Sequence, residues 1–294
     1  MDRNDSLAPF SSRGPRPDDE AVNPDVTAPG VGIVAARAAG TAMGSPVDEH
    51  YVAASGTSMA TPHVARAAAL LARRHPEWTA ARLKDALISS AVTVDGQKVT
   101  EQGGGRIDAR AAVLGAVSAT GTLALGPFTS EATEPEVSRV LCTNSSDKDI
   151  SLSLDAGLAT EGCRKPAQGS VRLGADSLKV PANSSAEVLL TVDPARVGQG
   201  RFYGYVTAAA SDGTVLAQTT VSVLIPGPTH RIALQSIGKD GRQAGDLPTI
   251  WGGPTASSGT PTPPRPSPRS RRASTRSTPA GSMLRATARS CATR

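Results

Sequence analysis

Apolar and polar positions alternate with two different periods along this chain, and the change falls near Gly121. Before it the spacing is helical. Small apolar residues Ala65, Ala67, Ala68, Leu70 and Leu71 follow Pro62 and predict a helix running to about His75, with Pro62 placed in its first turn. Pro76-Glu77-Trp78-Thr79 reads as a stop and a new cap. A second amphipathic helix over about Ala80 to Ala91 follows, with Leu83, Ala86, Leu87 and Ser90 three or four apart. Gly103-Gly104-Gly105-Arg106-Ile107-Asp108 is a glycine-rich turn into a third helix, about Ala109 to Val117. Upstream, Asp2 to Pro9 is polar and loop-like, Phe10 to Pro15 is a turn with one apolar anchor, and Asn23 to Gly30 is a loop. Val31 to Ala36 is predicted as a short buried strand.

From Gly121 the period becomes two. Val137 to Cys142, Ile150 to Leu154, Ala186 to Val192, Phe202 to Ala208 and Thr220 to Leu224 all alternate, separated by Gly, Asn, Asp and Ser. Short strands at this spacing predict a β-sandwich of about one hundred residues, with Asn144-Ser145-Ser146 and Pro181 to Ser185 at strand tips. Ile232, Leu234 and Ile237 suggest the first strand of a further β module. From about Trp251 the chain is almost wholly Pro, Ser, Thr, Arg, Ala and Gly, a composition that buries too little surface to order itself.

Composition changes this picture in three places. A chain of 294 residues has room for two domains, and with aromatics at 3% the cores must rest on Val, Leu, Ile and Ala. No window of 18 apolar residues exists, which excludes a helical membrane span, and Met1 to Asp5 lacks the layout of a signal peptide. The net charge of +5 is misleading, because eight Arg and no acid lie after Gly253. Without them 23 basic residues face 26 acidic ones, so the folded part is mildly acidic and no specific nucleic-acid face is expected on it. The tail has two readings: a basic arm for anionic polymers, or the product of a frameshift in a GC-rich gene, which the abrupt change of composition favours.

Cys142 and Cys163 both fall in the predicted sandwich. A bridge between them would close a loop of about twenty residues, worth roughly 3 kcal/mol; two buried thiols are the alternative. No Cys/His grouping has metal-site spacing, so no zinc and no cofactor is expected. A phosphate cradle at Gly103 to Gly105 is disfavoured, since the Lys and hydroxyl of a P-loop are missing.

The candidate chemistry lies in Ser55-Gly56-Thr57-Ser58-Met59-Ala60-Thr61-Pro62-His63-Val64-Ala65. Here a loop closes onto a helix and sets Ser58 at its N-terminus, where unpaired amides and partial positive charge suit a serine whose attack on a carbonyl creates an oxyanion. Taken by itself, Gly-Thr-Ser could be only a helix cap. The eleven residues, however, closely resemble the nucleophile motif of the subtilisin-like serine proteases, the subtilase family. Phe10-Ser11-Ser12-Arg13-Gly14-Pro15 and Pro24-Asp25-Val26-Thr27-Ala28-Pro29-Gly30 resemble two further blocks of that family in the right order. The usual Gly after Ala65 is replaced by Arg66, a change expected to crowd the helix.

The resemblance implies that Ser58 is the acylated serine and that its own backbone N–H is one oxyanion donor. In the family the catalytic Asp, His and oxyanion Asn all precede the Phe10 block, where this sequence has nine residues. The chain is therefore expected to lack them, to keep only part of a doubly wound α/β sheet, to leave apolar helix faces exposed, and to turn over little or no substrate alone. His63 stands apart from the triad in the family motif. His50, His75 and His230 carry no signature of the base, and Asp25 belongs to a structural loop.

The whole reads as α/β, a partial subtilisin-like domain over 1–117, followed by an all-β sandwich over 121–226 resembling fibronectin- or immunoglobulin-like modules. The start of a further β module over 227–250 and a disordered tail over 251–294 complete it. The implied function is serine endopeptidase action on polypeptide substrates in a secreted protein; the alternative is a non-catalytic spacer or binding module. Nothing in the sequence sets an oligomeric state.

Overall fold

Three short strands precede the first helix: β1 (Ile33–Ala36), β2 (Ser45–Pro46) and β3 (Tyr51–Ala54), paired antiparallel in the order β1-β3-β2. The structure, a computed structural model, describes residues 1–227 except Arg3, Asp18, Ala42, Ser130 and Glu131. The expectation of a buried strand at Val31 to Ala36 is corrected. Most of β1 is exposed, with Val34 52% accessible, because among the described residues no layer covers this sheet.

Helix α1 (Thr57–Arg74) carries the stripe of small residues, and α2 (Ala80–Ser89) starts where Thr79 Oγ1 accepts from the Arg82 amide. A single turn, α3 (Val99–Gln102), leads into the glycine-rich segment. Asp108 then caps α4 (Ala109–Leu114) by accepting from the Ala111 amide at 2.8 Å. This helix stops three residues short of the predicted end, since Gly115 takes extended angles and sends the chain into a strand. Ala67 and Leu71 of α1, Ala86 and Leu87 of α2, Ile107 and Ala112 pack with Ala28 into one small cluster. Only Ala67 and Leu71 of α1 are buried; Leu70 is half exposed, as expected of an uncovered helix face, and Arg66 is exposed.

The period-two region forms two sheets. In chain order the elements are β4 (Val117–Ala119), β5 (Thr122–Leu125), β6 (Glu136–Asn144), β7 (Ile150–Ala159), β8 (Val171–Leu173), β9 (Ser177–Val180), β10 (Ser184–Val192), the turn α5 (Pro194–Val197), β11 (Gly200–Ala209) and β12 (Val215–Ile225). One sheet has the order β4-β6-β10-β8 and the other β5-β12-β11-β7-β9. Residues of both sheets, among them Val140, Leu190, Val192, Phe202, Val206 and Val221, share one hydrophobic cluster. All pairings are antiparallel except β5 with β12.

The segment from Val117 to Leu125 crosses between the sheets at Thr120 and Gly121: the Thr120 amide donates to Leu141 O at 3.0 Å, and Gly121 O accepts from the Thr220 amide at 2.9 Å. A Cβ on Gly121 would come within 2.9 Å of Asp85 Oδ1 and 3.1 Å of Ile88 Cβ, so α2 lies directly on the crossover.

One expectation about this region is revised. Cys142 is a free, fully buried thiol whose pKa is pushed up to about 11 by burial; the bridge to Cys163 does not form, and Cys163 is bonded elsewhere. Asn144 stands at a strand tip between β6 and β7, as the sequence predicts. It ends β6 buried, its Nδ2 donating to the carbonyls of Lys148, Val180 and Pro181 and its Oδ1 accepting from the Ser146 amide, so it satisfies the turn from inside. The further β module and the tail, from residue 228 on, lie outside the described residues. No described helix is long and apolar enough to cross a membrane.

The helical segment and the sheets are joined by polar contacts from several sides. The Ala119 amide donates to Ser89 Oγ at 3.1 Å and the Gly121 amide to Asp85 Oδ1 at 2.9 Å. Arg201 on β11 forms a two-point ion pair with Glu20, both contacts at 2.7 Å, and Glu161 accepts from Lys98 Nζ at 2.9 Å and Thr100 Oγ1 at 3.0 Å.

Burial alone would raise the Glu161 pKa, but the hydrogen bonds from Lys98 and Thr100, with the charges of Lys98 and Arg201, outweigh it and hold the carboxyl below its ordinary 4.5. A carboxyl depressed on folding stabilises the fold above its unfolded pKa and loses that contribution as pH falls through the folded value. The pair is half exposed, so the effect is small, about 0.5 kcal/mol. Glu161→Gln is expected to lower stability by that amount at pH 7 and by progressively less as pH falls through the folded value, measured by urea denaturation across that range; a loss that does not change with pH would show that the carboxylate charge plays no part.

Candidate active site

The head of α1 is fixed by the backbone of two earlier segments. The Gly56 amide donates to Gly30 O at 2.8 Å, and the Gly32 amide donates to Ser55 Oγ at 2.9 Å. A Cβ on Gly30 would lie 2.8 Å from Gly56 O and 3.2 Å from Ala60 Cβ, so the Ala28–Gly30 loop touches the first turn with no room for a side chain. Gly56 itself is extended and starts the helix, making Thr57 its first residue and Ser58 its second. The Met59 amide donates to Gly56 O at 3.1 Å. Ser55, which the sequence shows only as a small lead-in residue, is thus the hydroxyl that ties the loop before β1 to the site.

Ser58 is exposed and lines a shallow depression with Met43, Ser45, Ala53, Ala54 and Met59, formed by the β2–β3 hairpin and the helix head. Its amide sits in the first turn, where N–H groups have no intrahelical acceptor and the helix dipole adds positive potential. The expected place of Pro62 is corrected: it is the sixth helical residue and lies in the second turn. Lacking an N–H, it cannot donate to the carbonyl four residues back, which is that of Ser58. Both backbone groups of Ser58 are therefore outside the regular helical ladder.

Phe10 does not act as a buried anchor. It is half exposed at the rim of an apolar cleft on the other side of the helix head, with Leu7, Val26, Ala60 and Val64.

No described histidine reaches Ser58 through a hydrogen bond. His63 Nδ1 lies 3.0 Å from Met59 O on the exposed side of α1. His75 ends α1, stacked on Trp78 at 4.0 Å between ring centroids and 3.6 Å from Glu77. His50 is exposed in the β2–β3 turn, and His230 lies outside the described residues. Asp25 forms an ion pair with Lys84 at 2.9 Å, and its carbonyl accepts from the Gly104 amide, which agrees with a structural loop. Among the described residues no three His, Cys, Asp or Glu side chains are grouped to hold a metal ion.

Residues 1–112, which include the serine at the head of the helix, the hairpin and the glycine-lined loop, match the sequence model of the subtilase family. Subtilisin-like protease SBT3.7 of Arabidopsis thaliana is 40% identical over 103 residues, 34% of this chain and 13% of that protein. The minor extracellular protease Vpr of Bacillus subtilis (strain 168) is 31% identical over 201 residues, 61% of this chain and 23% of that protein. The chain thus spans less than a quarter of the length of either relative. Among solved structures, tripeptidyl peptidase 2 gives a TM-score of 0.33 at 18% identity, covering 63% of this chain and 16% of that one.

Proposed function

We propose that this chain is part of a secreted subtilisin-like serine endopeptidase in which Ser58 is the nucleophile. The observation that carries the reading is the placement of Ser58 at the second position of α1, exposed beside an open depression, inside the segment that matches the subtilase family. Ser58 Oγ would attack a peptide carbonyl of a polypeptide substrate, and the free amides of the helix head would receive the charge that develops on its oxygen. A serine hydroxyl needs a base to take its proton, and among the described residues none is hydrogen-bonded to it. The base and its orienting carboxylate must then come from polypeptide outside the described residues, and the described part alone is expected to be inert.

The two sheets beyond Val117 are proposed as a β-sandwich of the fibronectin- or immunoglobulin-like class, with a division near residue 120. Their separate hydrophobic cluster supports that division. It also supports a second reading, in which the sheets are a non-catalytic binding or spacer module attached to the protease.

The test is labelling of the complete protein with a fluorophosphonate, followed by mapping of the modified peptide. The label is expected on the peptide bearing Ser58, and Ser58→Ala is expected to lower labelling and peptide hydrolysis by about a million-fold, the scale for loss of a serine nucleophile. Undiminished labelling of the Ala variant would overturn the assignment.

A further inference from the structure

We propose that Gln218 and Tyr205, both on the C-terminal sheets, are positioning residues for the head of α1, acting through the glycine turn at Gly103 to Gly105. The role rests on the reading of Ser58 as nucleophile for its functional meaning, though the chain of contacts stands on geometry. Gln218 lies on β12 and is 4% exposed. Its Nε2 donates to Ala91 O at 2.9 Å and, by a short hydrogen bond, to Gly104 O. Tyr205 on β11 donates its hydroxyl to Gly103 O at 2.7 Å. Three donated hydrogen bonds from the sheets therefore hold carbonyls at the end of α2 and in the glycine turn, well away from Ser58 in sequence.

The turn passes that restraint on. The Gly104 amide donates to Asp25 O at 2.9 Å, the Thr27 amide donates to Gly105 O, and the Ile107 amide donates to Thr27 O, both at 2.8 Å. The fit has no slack, since a Cβ on Gly103 would lie 2.1 Å from Pro24 O and one on Gly105 would lie 2.2 Å from Val92 O. Ala28, next along, is buried in the cluster with Ala67 and Leu71 of α1. Two residues further, Gly30 O accepts from the Gly56 amide, the residue that starts the helix. The links are backbone hydrogen bonds, tight glycine contacts and the packing of Ala28, so a shift at Gly104 is passed toward Gly56 through a continuous packed path.

This account gives the sheets a part in the chemistry that neither a spacer nor a separate binding module would have. It also explains why a Gln stands on β12 where a solvent-facing strand residue would be free to vary in type: an amide is the side chain that supplies two N–H donors to two buried carbonyls at once.

The experiment uses the full chain with Gln218→Met, which keeps length and removes both donors, and Tyr205→Phe, which removes one hydroxyl. Amide hydrogen exchange is read by NMR. Gln218→Met is expected to speed exchange of the Gly104, Thr27 and Gly56 amides about tenfold, with the β6–β10 ladder unchanged, and Tyr205→Phe to speed the same three amides by a few-fold. In the complete protein the fluorophosphonate labelling rate of Ser58 should fall in the same order. Faster exchange at Gly104 with no change at Gly56 in both variants would overturn the relay. If Gln218→Met loosens the β6–β10 ladder as well, Tyr205→Phe decides, with Gly56 as the readout. Absence of Ser58 labelling in the unsubstituted protein would overturn the nucleophile assignment, while exchange at Gly56 still decides the relay.

Discussion

Replacing Gly103 with alanine is expected to destabilise the fold by about 2–6 kcal/mol, among the largest effects a single methyl can have here. Two costs add. Gly103 has φ 62° and ψ −127°, a conformation for which an L side chain is strained by about 1–3 kcal/mol. The new Cβ would also stand 2.1 Å from Pro24 O and 2.3 Å from Asp25 O, and because both are backbone atoms of a packed loop, relief requires the loop to move, at a further 1–3 kcal/mol or so. Gly96 supplies the control. It has φ 81°, also left-handed, but a Cβ there would meet nothing within 4 Å, so Gly96→Ala should cost only about 1 kcal/mol. Urea denaturation of both variants, at unchanged m-value, separates the terms. Equal losses would mean that the contact with Pro24 and Asp25 relaxes freely and that the glycine turn is not a rigid link.

The sequence made the helices and five of the strands legible because apolar residues recur on at least one face of each. Leu83, Ala86 and Leu87 repeat at helical spacing, and α2 buries Ala86 to Ser89; the alternation of Val188, Leu190 and Val192 maps directly onto the buried side of β10. What stayed hidden follows from contacts between distant segments. On β12 the polar residues Gln218, Thr220 and Ser222 alternate with Ala217, Val221 and Val223, a pattern that reads as a strand with one wet face. In the fold both faces are buried, the apolar one in the core of the sheets and the polar one, through Gln218, against the helical segment. A solvent-facing polar residue and a buried residue bonded to remote carbonyls look the same in a linear pattern.

The site divides in the same way. Local signals placed Ser58 at a helix head, since small residues, a glycine and a helical run are all contiguous. The failures there were of extent. Pro62 looked like a first-turn residue because Pro favours that position, yet the helix begins early enough, at Thr57, to carry it inside. Val31 to Ala36 looked buried because it is apolar, but burial requires a partner layer, and none covers β1 among the described residues. The short strands β8 and β9 have three and four residues, too few to show a period against the Gly, Asp and Ser around them.

Phe202→Ala is expected to remove about 3–5 kcal/mol, and its consequences bear on whether the two halves of the described fold unfold together. The chain has three Phe, and among the described residues Phe202 is the largest fully buried side chain, 0% exposed within the cluster between the sheets. Deleting the ring leaves a cavity that the surrounding Val and Leu side chains, held in β ladders, can fill only in part. The Arg164 guanidinium, 4.9 Å from the ring centroid, loses its cation–π contact as well, worth about 0.5–1 kcal/mol at an exposed site. Leu71→Ala is the matching change in the helical cluster, also at 0% exposure, with an expected loss of about 2–5 kcal/mol. Arg201–Glu20, Gln218, Tyr205, Ser89 and Asp85 all bridge the two clusters, and opening one half would strip buried carbonyls and amides of the other of their partners. Both variants should therefore lower the midpoint of one shared transition, followed by circular dichroism for the helices and by hydrogen exchange of the β11–β12 amides for the sheets. If Phe202→Ala shifts only the β11–β12 exchange and Leu71→Ala only the helical signal, the bridging contacts do not couple the halves, and the sheets behave as an attached module that cannot hold the head of α1 in place.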